Sequence, residues 1–174
     1  MYFKERFETY LDIDTMLKKY YNYDVTFKKC SACSGFAGTW SCPSFDFDPK
    51  TYWQQFSRFH FIVDRVYNEG AATVEEAQER LFAEKHIYDD EMIALEAVCP
   101  GSKALAAQEC VHCKKCARLN GHPCVHPEIM RYALESLGML AVNMVHDCFG
   151  FDILWSDGTS IPEYYLLVGG VLEK

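Results

Sequence analysis

CVHCKKCARLNGHPC, residues 110–124, is the stretch on which the reading of this chain turns. Cys110, Cys113 and Cys116 stand at C-x-x-C-x-x-C, a spacing that lets one backbone loop wrap an iron–sulfur cubane so that each sulfur meets a different iron. Zinc sites are usually assembled from separate cysteine or histidine pairs instead, since two ligands per knuckle already fill half a tetrahedron. Seven residues separate Cys116 from Cys124, against three in simple bacterial ferredoxins. The fourth thiolate therefore returns on a longer turn, which Gly121 and Pro123 would shape. The expected cofactor on Cys110, Cys113, Cys116 and Cys124 is a 4Fe-4S cluster, with zinc as the alternative. His112, His122 and His126 lie close by, but four cysteines complete such a site without them.

A second constellation lies upstream. Cys30, Cys33 and Cys42 form C-x-x-C-x8-C, followed by Pro43, with Gly35, Gly38 and Trp40 inside the loop. Three thiolates do not complete a cubane. Either Cys99 or Cys148 supplies the fourth ligand, or a non-cysteine group does, or one iron stays open to a small-molecule ligand. Structural zinc with His60 or His126 as fourth ligand is a further reading, and plain buried or redox-active cysteines another. Phe36, Trp40, Phe45 and Phe47 serve either as packing or as a shield against water. Lys114 and Lys115 read as a solvated pair or as anion contacts. Arg131 and Glu135, four apart, read as an intrahelical ion pair or as supports for the cluster loop.

Working outward, 174 residues can bury one substantial core, so a single metal-binding domain over residues 1–174 is expected, with its cysteine loops at about 30–49 and 110–127. The formal net charge is −8, and four thiolates around a cubane would add roughly two negative charges. Such a balance argues against a nucleic-acid partner and for a redox partner protein presenting basic residues. The N-terminal MYFKERFETY has charges where a signal peptide needs an apolar core, and the longest apolar stretch, Tyr164 to Leu172, is about half a membrane span. A cytoplasmic protein without a membrane partner is expected. Nine cysteines in that compartment read as metal ligands rather than disulfides.

The predicted elements make an α+β fold, a small mostly antiparallel sheet with flanking helices. Apolar spacing predicts a helix over Phe7 to Tyr20, and alternation predicts a strand over Tyr23 to Phe27 that delivers Cys30. The Ser-, Gly-, Pro- and Asp-rich segment from Cys30 to Pro49 reads as an irregular loop. A strand is expected over Arg58 to Val66, then a helix opened by the Thr73/Glu76 capping box and running to about Lys85. A further helix is expected over Asp89 to Ala97, and another over Glu128 to Leu137, begun at Pro127 and ended by Gly138. Phe151 to Trp155 and Glu163 to Leu172 read as an antiparallel pair of strands.

Taken together, the two cysteine patterns resemble a family of predicted metal-binding proteins, domain of unknown function 2284. Its first motif is similar to Cys30, Cys33, Trp40, Cys42 and Pro43, with Ser44 in place of a second proline and Phe36 where tyrosine is common. The second is similar to Cys110, Cys113, Cys116, Gly121, Pro123, Cys124, Pro127, Arg131, Glu135 and Gly138. The resemblance implies metal binding of the iron–sulfur type and names no substrate. Neither Cys99 nor Cys148 belongs to these motifs. Three functions follow as expectations: electron transfer to a partner enzyme, a cluster-dependent enzyme with an open iron on the Cys30/Cys33/Cys42 loop, or a zinc-stabilised binding module or metal-delivery scaffold. No Rossmann glycine fingerprint is present to supply a nicotinamide site.

Overall fold

The most apolar run of the chain, Tyr164–Glu173, is a strand (β4) buried at every position but its last. A strand with no polar face has to be covered on both sides. The computed structural model, which describes residues 2–174, covers it that way. β4 pairs antiparallel with Arg58–Tyr67 (β2) on one side and with the short Lys103–Leu105 (β3) on the other. Lys4–Asp12 (β1) pairs antiparallel with β2 at the edge, giving the order β1-β2-β4-β3. Strand alternation then sorts the side chains into two cores. Phe59, Phe61 and Val63 of β2 with Leu166, Val168 and Leu172 of β4 face one. Ile62, Val66, Leu167 and Val171 face the other. At Gly170, where φ is 144°, an added Cβ would stand 2.0 Å from the His60 carbonyl oxygen, so this crowded centre of the sheet admits no side chain there.

The first core is covered by helices Ile13–Tyr20 (α1) and Ala141–Phe149 (α5), with the short Pro49–Trp53 (α3) beside them. Tyr23–Ser31 (α2) follows α1. The second core is covered by one long helix, Val74–Val98 (α4), whose Tyr88 and Met92 are fully buried. The inner face of α4 also carries charge. Fully buried Asp64 of β2 accepts from Arg6 Nε at 2.6 Å and Nη2 at 2.7 Å, and Lys4 meets Glu84 of α4 at 2.8 Å. Lys85 pairs with Asp89 at 2.6 Å; Asp89 accepts from the Ala107 N–H at 3.0 Å while Lys85 donates to the Ala107 carbonyl. That buried pair fixes the backbone three residues ahead of Cys110. No helix among the described residues is long and apolar enough to cross a membrane.

The α+β class and the irregular Cys30-to-Pro49 loop are as the sequence predicts, as are β2, β4 and the capping box, where Thr73 Oγ1 accepts from the Glu76 N–H at 3.1 Å. Several elements differ. The predicted helix from Phe7 is strand β1 up to Asp12, because pairing with β2 overrides a periodicity carried by few residues. Asp12 then caps α1, accepting from the Thr15 N–H at 2.8 Å. The Tyr23-to-Phe27 strand is helix α2, started by Asn22 Oδ1 accepting from the Val25 N–H at 3.1 Å; a five-residue alternation is too short to outvote a cap. Helix α4 runs on through the Asp89-to-Ala97 segment as one element. Phe151 to Trp155 forms no strand, and α5 and β3 were not predicted.

Candidate metal centre

Cys30 lies in the last turn of α2, and beyond it the chain folds through consecutive tight turns. Cys33 N–H donates to the Cys30 carbonyl at 3.0 Å, Phe36 N–H to Cys33 at 3.0 Å, Gly38 N–H to Gly35 at 2.9 Å and Cys42 N–H to Thr39 at 3.1 Å. Two of the sulfurs have their own polar contacts: the Gly35 N–H at 3.4 Å from Cys33 Sγ, and Thr39 Oγ1 at 3.4 Å from Cys42 Sγ. Phe36 packs edge-on against Phe27 of α2, and Phe45 and Phe47 stack on each other and meet Tyr132 edge-on and tilted, so these rings pack the loop.

In the second loop, Cys116 leads into a single 3-10 turn, Ala117–Asn120, ended by Gly121 at φ 70°. Gly121 thus shapes the return to Cys124, in the left-handed region that favours glycine. Cys110, Cys113, Cys116 and Cys124 border one small enclosed void together with Trp40, His112, His126 and Met130. Among the described residues, no group of three His, Cys, Asp or Glu side chains is placed to hold a single metal ion. An all-sulfur donor set around a shared void fits an iron–sulfur core by its chemistry.

The two loops are stitched together by residues outside the cysteine patterns. Buried Ser41 accepts the Cys110 N–H on its Oγ at 2.8 Å and lies 2.8 Å from Thr39 Oγ1, so a hydrogen-bonded chain links the Cys42 sulfur to the Cys110 amide. Trp40 Nε1–H donates to the His122 carbonyl at 3.0 Å. Arg118 donates to the carbonyls of Thr39 at 2.7 Å, Ser44 at 3.1 Å and Cys42, and its guanidinium lies 5.1 Å over the Trp40 ring. The sequence reading missed Arg118 and Ser41, since neither sits at a spacing that marks chemistry. Between the loops opens a cavity of about 550 Å3 bordered by Cys30, Cys33, Cys42, Cys113 and Cys116, with Lys114 and Lys115 on its rim. Gln108, which borders this cavity, and Ala37, between the bordering Phe36 and Gly38, are held at positive φ.

The segment after Pro127 departs from the predicted helix. Arg131 is drawn away from Glu135 into a two-pronged pair with Glu96 of α4, at 2.7 and 2.8 Å, and Ala106 N–H donates to the Tyr132 carbonyl at 3.0 Å. Those tertiary contacts extend the backbone between two separate hydrogen-bonded turns, Pro127 to Ile129 and Leu134 to Gly138. Gly138 does terminate the second, at φ 96°, and an added Cβ would stand 2.7 Å from the Tyr21 ring. Glu135 is left beside the first cysteine loop. Its Oε2 is shut off from solvent without a hydrogen-bond partner, and burial pushes its carboxyl up to about 7.

Burial also raises the Cys30 thiol, with Glu135 and then Cys42 and Cys33 adding to the effect. The Cys110 thiol is raised by burial, against a lowering hydrogen bond from the His112 backbone. The remaining sequence candidates lie elsewhere. Cys99 caps α4, its N–H donating to the Glu96 carbonyl at 3.2 Å, and Cys148 packs on the first core from α5. His60 of β2 stacks on Tyr10 and meets Glu8 at 3.1 Å, both on the edge strand β1. His126 borders the void of the second loop. A family model described as predicted metal-binding protein (DUF2284) matches residues 18–172. No curated protein and no solved structure matches the chain.

Proposed function

The chain belongs to the family of predicted metal-binding proteins, domain of unknown function 2284, and from that premise we propose that it is an iron–sulfur protein acting as one unit. In this reading Cys110, Cys113, Cys116 and Cys124 hold a 4Fe-4S cluster, and Cys30, Cys33 and Cys42 hold a second. One observation carries it: the four cysteines of the 110–124 loop, three of them at C-x-x-C-x-x-C, border a single void. When bound, such clusters take up and release one electron at a time.

The chain's own residues hold the loops and tune them. Trp40 and Met130 wall the void against water, and the Gly35 N–H and Thr39 hydroxyl lie against cysteine sulfur, where hydrogen bonds raise a reduction potential. Arg118 and the Thr39–Ser41 chain keep the two cysteine sets in fixed relation, as electron passage between them requires. The net charge of −8 directs a redox partner to present basic residues, and the nine free cysteines suit a reducing cytoplasm.

Purification without oxygen, with iron, sulfide and zinc counted per chain, tests the reading. About eight iron and eight sulfide per chain are expected from two cubanes. Electron paramagnetic resonance with potentiometry should then find reducible clusters; zinc without sulfide would overturn the proposal. The 550 Å3 cavity favours a second reading, an enzyme whose first-loop iron binds a small molecule. There, a ligand should perturb one cluster's spectrum, and Cys42→Ser should abolish that response while sparing the other cluster.

A further inference from the structure

The first cysteine loop brings together three thiols and lacks a fourth donor of the same kind. Cys99 and Cys148, the cysteines outside the two patterns, line neither of the two cavities that Cys30 borders, and His60 of β2 is engaged with Glu8 of the edge strand β1. Two acidic side chains border the cavity between the loops: Glu109, which is exposed to water, and Glu135, whose Oε2 is closed off from it. Glu135 lines the cavity shared with Cys30, Cys33 and Cys42, and also an adjoining cavity of about 330 Å3 that again includes Cys30 and Cys33.

Its surroundings leave one oxygen of that carboxylate without a partner. Arg131, four residues earlier, is committed to Glu96 through both prongs of its guanidinium. Lys85, the buried cation whose charge reaches Glu135, is committed to Asp89 and the Ala107 carbonyl. Oε2 of Glu135 has no hydrogen-bond partner although it is closed off from water. A buried polar atom left so is costly, and a bound ligand or ion is one way in which native structures satisfy it.

We infer that Glu135 supplies the fourth, oxygen ligand of the cluster held by Cys30, Cys33 and Cys42. The inference rests on the iron–sulfur reading above and adds to it the identity of the ligand. Carboxylate oxygen is an accepted iron donor, and non-cysteine ligands occur in iron–sulfur centres. It binds iron less firmly than thiolate does. The iron it holds is therefore the one a small molecule entering the cavity can reach by displacing it.

The test uses the full chain reconstituted without oxygen, both natural and with Cys113→Ser and Cys116→Ser, so that first-loop signals stand alone. With glutamate labelled by carbon-13 at its side-chain carboxyl, electron–nuclear double resonance on the reduced cluster should show a carbon-13 coupling that Glu135→Gln abolishes. Mild oxidation of Glu135→Gln should strip one iron from the first-loop cluster, giving a three-iron signal several-fold stronger than in the natural chain. Glu135→Cys should lose the coupling and keep its iron through the same oxidation, which also guards against a misfolded glutamine variant. If the natural chain carries a first-loop cluster without the coupling, and all variants share one spectrum, the assignment falls and the two-cluster reading stands. If the first loop takes up no iron and sulfide at all, both fall.

Discussion

Arg118 illustrates how much of this site depends on single side chains that carry no metal-binding signature. Its planar fork reaches three carbonyls of the other loop and covers Trp40, a geometry that lysine, with one point charge, does not reproduce. Arg118→Ala is expected to cost roughly 2 kcal/mol, given about 1.5–3 kcal/mol for each hydrogen bond to a charged group and partial exposure here. The clearer readout is iron: loss of the metal to a chelator should speed up several-fold from both loops together, and Arg118→Lys should not restore it. Gly138 acts through backbone shape. At φ 96° and 2.7 Å from the Tyr21 ring, Gly138→Ala should destabilise the chain by about 1–3 kcal/mol in urea titration, by strain and by overpacking. Because Asn22 N–H donates to the Gly138 carbonyl at 2.9 Å, the same change should loosen the start of α2, the helix that carries Cys30. Gly138 was legible as a terminator because glycine in that place has one physical use. The destination of Glu135 was not, since spacing alone pairs it with Arg131, and only the arrival of Glu96 from a distant helix breaks that pair.

Among the elements, α4 does two jobs through buried charge. Its Lys85–Asp89 pair grips the backbone of Ala107, so removing one partner strands the other. Lys85→Met should cost about 3–5 kcal/mol by leaving Asp89 buried and unpaired. Adding Asp89→Leu should recover part of this, short of full stability, because the Ala107 N–H and carbonyl then both lose partners. Urea titration of the single and double variants measures that coupling. Near its other end, Glu96 holds Arg131. Burial pushes the Glu96 carboxyl up, but the hydrogen bonds from Arg131 and the Ala104 N–H outweigh it and keep it below the ordinary glutamate range. The unfolded chain therefore binds the proton first as pH falls. This contribution to stability is complete above the ordinary glutamate range and is lost as pH drops through the lowered folded value. Arg131→Met should flatten that part of the stability-against-pH curve. Elements with one strong local cue, such as the Thr73 cap or the apolar β4, were legible. Phe7 to Asp12 and Tyr23 to Phe27 were not, because short apolar patterns fit either period and pairing or capping decides.

For the molecule as a whole, the sheet and its two cores stand on apolar burial, while the cysteine loops have turns, a few cross-links and the metal they are proposed to hold. Chelation under reducing conditions is therefore expected to leave β2 and β4 protected in hydrogen exchange while residues of about 32–48 and 108–127 exchange at least ten-fold faster. Equal loss of protection in the sheet would mean that the loops hold the fold, not the reverse. The α+β class and the seven cysteines of the candidate site followed from the sequence alone, because apolar runs, capping residues and close ligand spacing act over a few neighbouring positions. That the two cysteine loops share a cavity, that Arg118 and Ser41 join them, and that Glu135 is left unpaired beside Cys30 were decided only by the tertiary structure. These contacts link residues tens of positions apart, and a side chain's partner across such a distance depends on how the sheet brings the loops together.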